Sequence, residues 1–404
     1  MIAIMKNVAV LLTSIPQSGG EHSYLVKIME TLMECNQRHF NLLAICCNDY
    51  WRAWCRHQRV KRVTYMLEQY SYHKMKFNAY FKMTSVLYNI CFSKLEKIIL
   101  DNNIDLLIGG QQSIFIPKLT CKIIQPVHDL MHRYEAQYEE IRSTYEWREN
   151  YFSCEARISD VVLVDSQMGK KQYRECYYKR RGHFPQIKIL PFAVSDYKDA
   201  IEEYIETPIK YIFYPAQFWE HKNHEKLILA LNLLKERLND IHLILVGAER
   251  NSKKKVERLI RDNGLEKYVT IRGFVSEGQI IYLYRHAVAL VMPTCIGPTN
   301  IPPLEAMALG CPVIVSDKYA MPKQVGEAGL LCNPNSVESI ASCIEKVWKD
   351  ENLRKSMIKK GYEQIQKWTE NDFKRRFIEI VLDELNKQNH GPRYRISRRR
   401  GVVF

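Results

Sequence analysis

No apolar run in this 404-residue chain reaches the roughly 18 residues that a membrane-crossing helix needs, so no spanning segment is expected. There is no Cys-x-x-Cys pair, which argues against a structural zinc site, and no Gly-x-Gly-x-x-Gly loop of the dinucleotide-binding type. Internal repeats and low-complexity segments are also lacking. Acid is missing from two places. Residues 387–404 hold six Lys/Arg and no Asp or Glu, and residues 51–97 hold ten against Glu68 and Glu96. These two segments account for the whole formal charge of +14, so the chain reads as two basic patches on a neutral body. A uniformly basic nucleic-acid binder would spread the excess.

With 46% hydrophobic and 26% charged residues, the composition is that of an ordinary globular protein large enough for two or three cores. Twelve cysteines occur, several in or beside apolar runs as at Cys46 and Cys311, and they read as reduced core thiols. Lys6 interrupts the N-terminal apolar residues, a poor match to a signal peptide. A cytoplasmic protein with at most peripheral contact at the inner membrane face is expected.

Short apolar runs alternate with longer amphipathic stretches. Strands are predicted at 7–13, 40–46, 105–109, 122–127, 160–165 and 187–192, with helices at 21–35, 84–101 and 144–157. Regularity breaks at VSDYKDAIEEYIETP, within a linker predicted at 193–208. A second series follows, with strands at 209–215, 241–247, 268–274, 288–293, 312–316 and 329–333. Its helices are predicted at 222–237, 252–263, 276–285 and from about 303, and the last three helices at 336–349, 351–366 and 370–385. Strand and helix in alternation predict an α/β protein with two doubly wound parallel sheets, Rossmann-like, facing a central cleft beyond the carboxyl ends of their strands. The expected layout is a domain at 1–195, a second at 209–370, a helix at 371–386 packing back on the first domain, and a basic tail at 387–404.

Gly19 and Gly20 follow the first strand and precede a helix, where free N–H groups favour an anion; plain helix capping is the alternative. The densest signal is PTCIGPTNIPPLEAMALGCPVIVS at 293–316. Pro302 and Pro303 sit where proline costs a helix least, and Glu305 falls in the first turn. There it either offsets the helix dipole or accepts hydroxyls from a ribose or sugar.

This stretch resembles the signature EGFGLPPLEAMACGxPVI of glycosyltransferase family 4, the retaining enzymes of GT-B fold. The match runs from Ile301 through Leu304 to Ala308 and resumes at Gly310, Pro312, Val313 and Ile314. The resemblance assigns the pattern's second glutamate to Glu305 and its first to Gly297, which has no side chain; backbone N–H groups of Thr299, Asn300 and Ile301 and the Asn300 amide are the expected substitutes. Upstream, YIFYPAQFWEHKNHEKLILAL resembles the segment whose Arg and Lys grip the donor diphosphate. Lys222 holds the Lys position and Gln217 the Arg position, so one cation of two is missing. The HDL of QPVHDLMHRYEAQY matches a family histidine facing the reacting sugar, here His128, with Asp129 expected to cap the next turn and His132 and Arg133 to touch acceptor. Ser166, in a segment similar to another family strand end, is expected to cap a helix. His221 and His224 flank Lys222 without further metal-ligand spacing.

The resemblance implies a retaining transferase needing no metal or other cofactor, with a nucleoside diphosphate sugar as donor, mannose being preferred, and a glycan or lipid-linked glycan as acceptor in polysaccharide assembly. It implies His128, Lys222 and Glu305 as catalytic, with Gly19, Gly20, Gln217, Thr299, Asn300, Ile301 and Leu304 at the donor. A nucleotide-sugar 2-epimerase and a non-catalytic binding subunit are the alternatives. The basic segment 51–97 interleaves its cations with Trp51, Trp54, Tyr65 and further aromatics. That pattern suits an anionic membrane surface, as does the tail at 387–404, or an ordinary solvated face; stacked RNA fits least well.

Overall fold

The computed structural model describes residues 5–65, 94–110, 112, 119–178, 182–238 and 240–387. Two wholly parallel sheets organise it. The first has seven strands, β1 (Asn7–Leu12), β2 (Asn41–Cys46), β3 (Arg62–Thr64), β4 (Leu106–Gly109), β5 (Lys122–Val127), β6 (Val161–Val164) and β7 (Gln186–Ile189), in the order β3-β2-β1-β4-β5-β6-β7. The second has six, β8 (Ile212–Pro215), β9 (Leu243–Val246), β10 (Val269–Arg272), β11 (Ala289–Met292), β12 (Val313–Ser316) and β13 (Gly329–Cys332), in the order β10-β9-β8-β11-β12-β13. Strands such as LILV at β9 and VIVS at β12 are buried along their whole length, because helices cover both faces of a parallel sheet. In each sheet the strand order reverses beside its first strand, β1 or β8, and loops leaving the carboxyl ends there open onto a common space.

β3 lies inside the basic segment and was not predicted; three residues are too few to show periodicity. Part of that segment is core. Trp51 is fully buried with its indole N–H on the Ser14 carbonyl at 2.7 Å, Trp54 packs against the same cluster, and Tyr65 is buried. Residues 66–93, with the remaining aromatics and part of the helix predicted at 84–101, lie outside the described residues, as do 388–404 of the basic tail.

The chain crosses between the sheets twice. Residues 190–211 form an extended connection with no strand or long helix. The last helix, Glu370–Asn386, returns to the first sheet, where Phe373, Phe377, Ile380 and Val381 join the cluster containing Val8, Val10 and Ile28. Trp368 donates its indole N–H to the Pro191 carbonyl at 3.0 Å, tying the two crossings together, and Lys27 meets Glu370 at 2.8 Å.

Candidate active site

A cavity of about 870 Å³ lies between the sheets, lined by loops following β1, β5, β6, β8, β11 and β12. Every donor and catalytic candidate from the sequence lines it: Gly19, Gly20 and His128 from the first half, and Gln217, Lys222, Thr299, Asn300, Ile301, Leu304 and Glu305 from the second. Gly19 has φ +65° and ψ −129°, a conformation open to glycine. A Cβ on Gly20 would stand 3.1 Å from the Ile301 Cδ1, so the two halves approach closely there.

Lys222 is the last residue of a 3-10 turn (Glu220–Lys222). The helix predicted from 222 starts two residues later, at His224, because Asn223 takes a left-handed conformation with φ +63°. That residue anchors the turn by donating to the Pro293 and Pro334 carbonyls at 2.9 and 2.8 Å, while the Tyr214 hydroxyl donates to the Lys222 carbonyl at 3.0 Å. The ammonium donates to the Asn300 Oδ1 at 3.4 Å. Burial draws its pKa down to about 8 against the attraction of Asp129 across the cavity.

The donor loop before the helix Pro302–Ala308 is braced by Gln324, which donates to the Asn300 carbonyl at 2.7 Å and accepts from its N–H at 3.1 Å. At Gly297, φ is +117° and a Cβ would lie 2.5 Å from the Asn300 Nδ2. A glutamate at 297 would strain the backbone at that φ and displace the Asn300 amide, which takes the space. Glu305 accepts from the buried Tyr284 hydroxyl at 3.0 Å. Burial raises its pKa, with Tyr284 pulling it back and Glu277 adding to the rise.

On the opposite wall, the His128 ring meets Tyr24 edge-on at 4.7 Å, and its backbone N–H donates to Gln112 at 2.9 Å. Burial pushes the imidazole down to about 4, Asp129 only partly opposing, so it is neutral at physiological pH. Asp129 does cap its turn, accepting from the Met131 N–H at 3.0 Å. Burial works against its charge, but Arg148, Met131 and Gln112 outweigh it and hold the carboxyl near 2. Ser166 accepts from the Gly169 N–H at 3.0 Å, capping the helix Gln167–Tyr177 as expected, and also lines the cavity.

Neither His132 nor Arg133 lines the cavity, and His132, fully buried, is out of reach of an acceptor, contrary to expectation, whereas Arg133 keeps a partly exposed side chain. The short helix Met131–Tyr134 turns both toward the helix Tyr145–Ile158. There His132 is fully buried, stacked on Phe152 and bonded to Glu149 and Tyr177, and Arg133 pairs with Glu149 at 2.5 Å. His221 faces Glu140 and His224 stacks on Phe218 at 4.5 Å.

Several residues here carried no sequence signal. Glu21 and Asp165 line the first half's wall with carboxyls raised to about 7, mainly by burial. Asp165 also accepts from the Thr299 hydroxyl across the cavity. Glu140 accepts from the His221 N–H at 3.1 Å, the His221 Nδ1 at 2.7 Å and the Asn251 amide at 2.9 Å, all in the other half. Their partners are distant in sequence, so no spacing points to them.

Residues 198–364 match the family model described as glycosyl transferases group 1. Among curated relatives, the chain is 29% identical over 160 residues to the O-antigen chain mannosyltransferase B of Escherichia coli, covering 39% of this chain and 42% of that protein. It is 26% identical over 239 residues to the human alpha-1,3/1,6-mannosyltransferase ALG2, covering 54% and 56%. The matched stretches thus span about half the length of these relatives. Among solved structures, Anabaena HepE in complex with UDP-glucose superposes with a TM-score of 0.70 at 14% identity, covering 93% of this chain and 99% of that one. Two parallel sheets facing a cleft, with this likeness, are the GT-B architecture.

Proposed function

We propose that this chain, whose residues 198–364 are a glycosyl transferases group 1 domain, moves a sugar from a nucleoside diphosphate donor to a glycan or lipid-linked glycan acceptor in polysaccharide assembly. The observation that carries the reading is Lys222. A lysine held by a rigid turn in a cavity that depresses its pKa is a cation waiting for an anion, and a diphosphate leaving group supplies one. Mannose is the proposed sugar, from the family resemblance and the mannosyltransferase relatives. HepE's complex supports a uridine nucleotide as one donor to test first.

In the proposed reaction the bond from the anomeric carbon to the diphosphate oxygen breaks while the acceptor oxygen bonds to the same face. The acceptor's proton leaves with the diphosphate. Retention and independence of metal are implied by the resemblance. Lys222 and the N–H groups of the donor loop stabilise the departing charge. Glu305, fixed by Tyr284, accepts donor hydroxyls. His128, neutral and held against Tyr24, orients the reacting sugar by hydrogen bonding. Contacts between the halves, Thr299 to Asp165 and His221 to Glu140, keep water from the donor. We place the chain in the cytoplasm, peripheral to the anionic inner membrane face through 51–97 and 387–404, with the contact limited to residues outside the core.

Purified protein incubated with UDP- and GDP-sugars and a glycan acceptor should release nucleoside diphosphate and form a product with the donor's anomeric configuration, unchanged by chelator. Binding without turnover of any donor would favour the binding-subunit reading. An inverted product would end the retaining mechanism.

A further inference from the structure

The pattern leaves the diphosphate subsite one cation short at Gln217, and the fold brings another cation to the same point. The turn after β9 lies so close to the end of β8 that a Cβ on Gly247 would stand 2.1 Å from the Ala216 carbonyl oxygen. Only glycine permits that approach. The turn is then bonded along its length: Phe218 N–H to the Ala248 carbonyl at 3.1 Å, the Ser252 hydroxyl to the Phe218 carbonyl at 2.8 Å, and Glu220 N–H to Asn251 at 3.1 Å. This docking delivers Arg250. Its Nε donates to the Gln217 Oε1 at 3.1 Å, and its guanidinium lies over the Trp219 ring, 5.1 Å from the centroid. The Trp219 indole N–H donates to the same Gln217 oxygen at 3.0 Å.

Gln217 and Trp219 line the cavity and Arg250 stands behind them. An amide whose carbonyl oxygen is held by a guanidinium is polarised and donates more strongly through its N–H groups. We infer that Arg250 is a positioning residue for the donor, supplying through Gln217 the second positive charge of the diphosphate subsite. The inference rests on the donor-binding reading above.

The test is titration of UDP and GDP, and of UMP and GMP, against the parent chain, R250A, R250K, Q217R and the double variant Q217R/R250A, with melting temperatures recorded for all. R250A should bind the diphosphate that the parent prefers about tenfold more weakly, and the monophosphate with a smaller loss. R250K should recover part of the affinity. Q217R/R250A, which returns a cation to the cavity wall, should bind within about threefold of the parent. Q217R alone should gain nothing, since two cations would then crowd one point. Parental affinity in R250A, or an equal loss for mono- and diphosphate that Q217R leaves uncorrected, would reduce Arg250 to a brace for its turn. Failure of the parent chain to bind any nucleoside diphosphate would remove the functional reading and this inference together.

Discussion

Replacing Lys222 with methionine should make the protein more stable and far less active. Methionine keeps the unbranched length and removes the charge. In the folded chain burial moves the ammonium from an ordinary pKa near 10.5 to about 8, so the fold disfavours the proton it carries at neutral pH. A shift of that size corresponds to a few kcal/mol, and a half-buried site open to solvent retains about 1–3 kcal/mol of it. Lys222→Met should therefore raise the melting temperature by a few degrees and reduce turnover about 100-fold or more. The sign with pH follows from linkage. Because the folded pKa lies below the unfolded one, the unfolded chain holds more protons between about pH 8 and 10.5, and the parent gains stability as pH rises through that window. The variant should lack this rise. Diphosphate affinity runs the other way, since only charged Lys222 attracts the anion, and should fall about tenfold between pH 7 and 9 in the parent but not in the variant. Differential scanning fluorimetry and nucleotide titration across that range provide the assays. A variant that melts lower, or keeps turnover within about threefold, would show Lys222 to be an ordinary structural lysine.

Glu305→Gln should cost about 1–3 kcal/mol in donor binding or turnover, whereas a carboxylate serving only the helix dipole would cost about 0.3–1 kcal/mol of stability with kinetics intact. Gly297→Glu, which writes the missing glutamate into the motif, should reduce activity by about tenfold or more, because the φ of +117° strains a side-chain-bearing residue and the new Cβ displaces the Asn300 amide; a gain would mean that the loop opens to accept it. Glu140→Ala removes three hydrogen bonds between the halves and should raise the ratio of donor hydrolysis to transfer, measured as nucleoside diphosphate released per glycan formed, while an unchanged ratio would deny Glu140 a part in closure. Removing residues 391–404 takes away five arginines and should weaken sedimentation with anionic vesicles at low salt, at about 1 kcal/mol per cation, leaving turnover on a soluble acceptor unaltered; equal vesicle binding would free the tail of any anchoring role.

Sequence alone determined what depends on neighbours along the chain. Runs such as NVAVLL and LILV are apolar at every position because a parallel strand is covered on both faces, so strand placement and the two-sheet architecture were legible. The PPLEA stretch and the Lys after β8 stood out because helix starts and strand ends impose local residue preferences. The turn that displaces the helix start to His224 was not legible: asparagine tolerates the left-handed φ of +63°, but what holds Asn223 there is its amide's bonds to two carbonyls 70 and 111 positions away. His132 looked like a residue for the cleft and turned inward because Phe152, Tyr177 and Glu149 meet it there. Tertiary structure likewise decided that Gly297 makes room for Asn300, that Arg250 stands behind Gln217, and that Glu140 reaches His221. Local periodicity records whether a side chain is buried, but not which side chain from another strand it meets. A charge or an amide gains its role from that meeting, and only the closed chain brings it about.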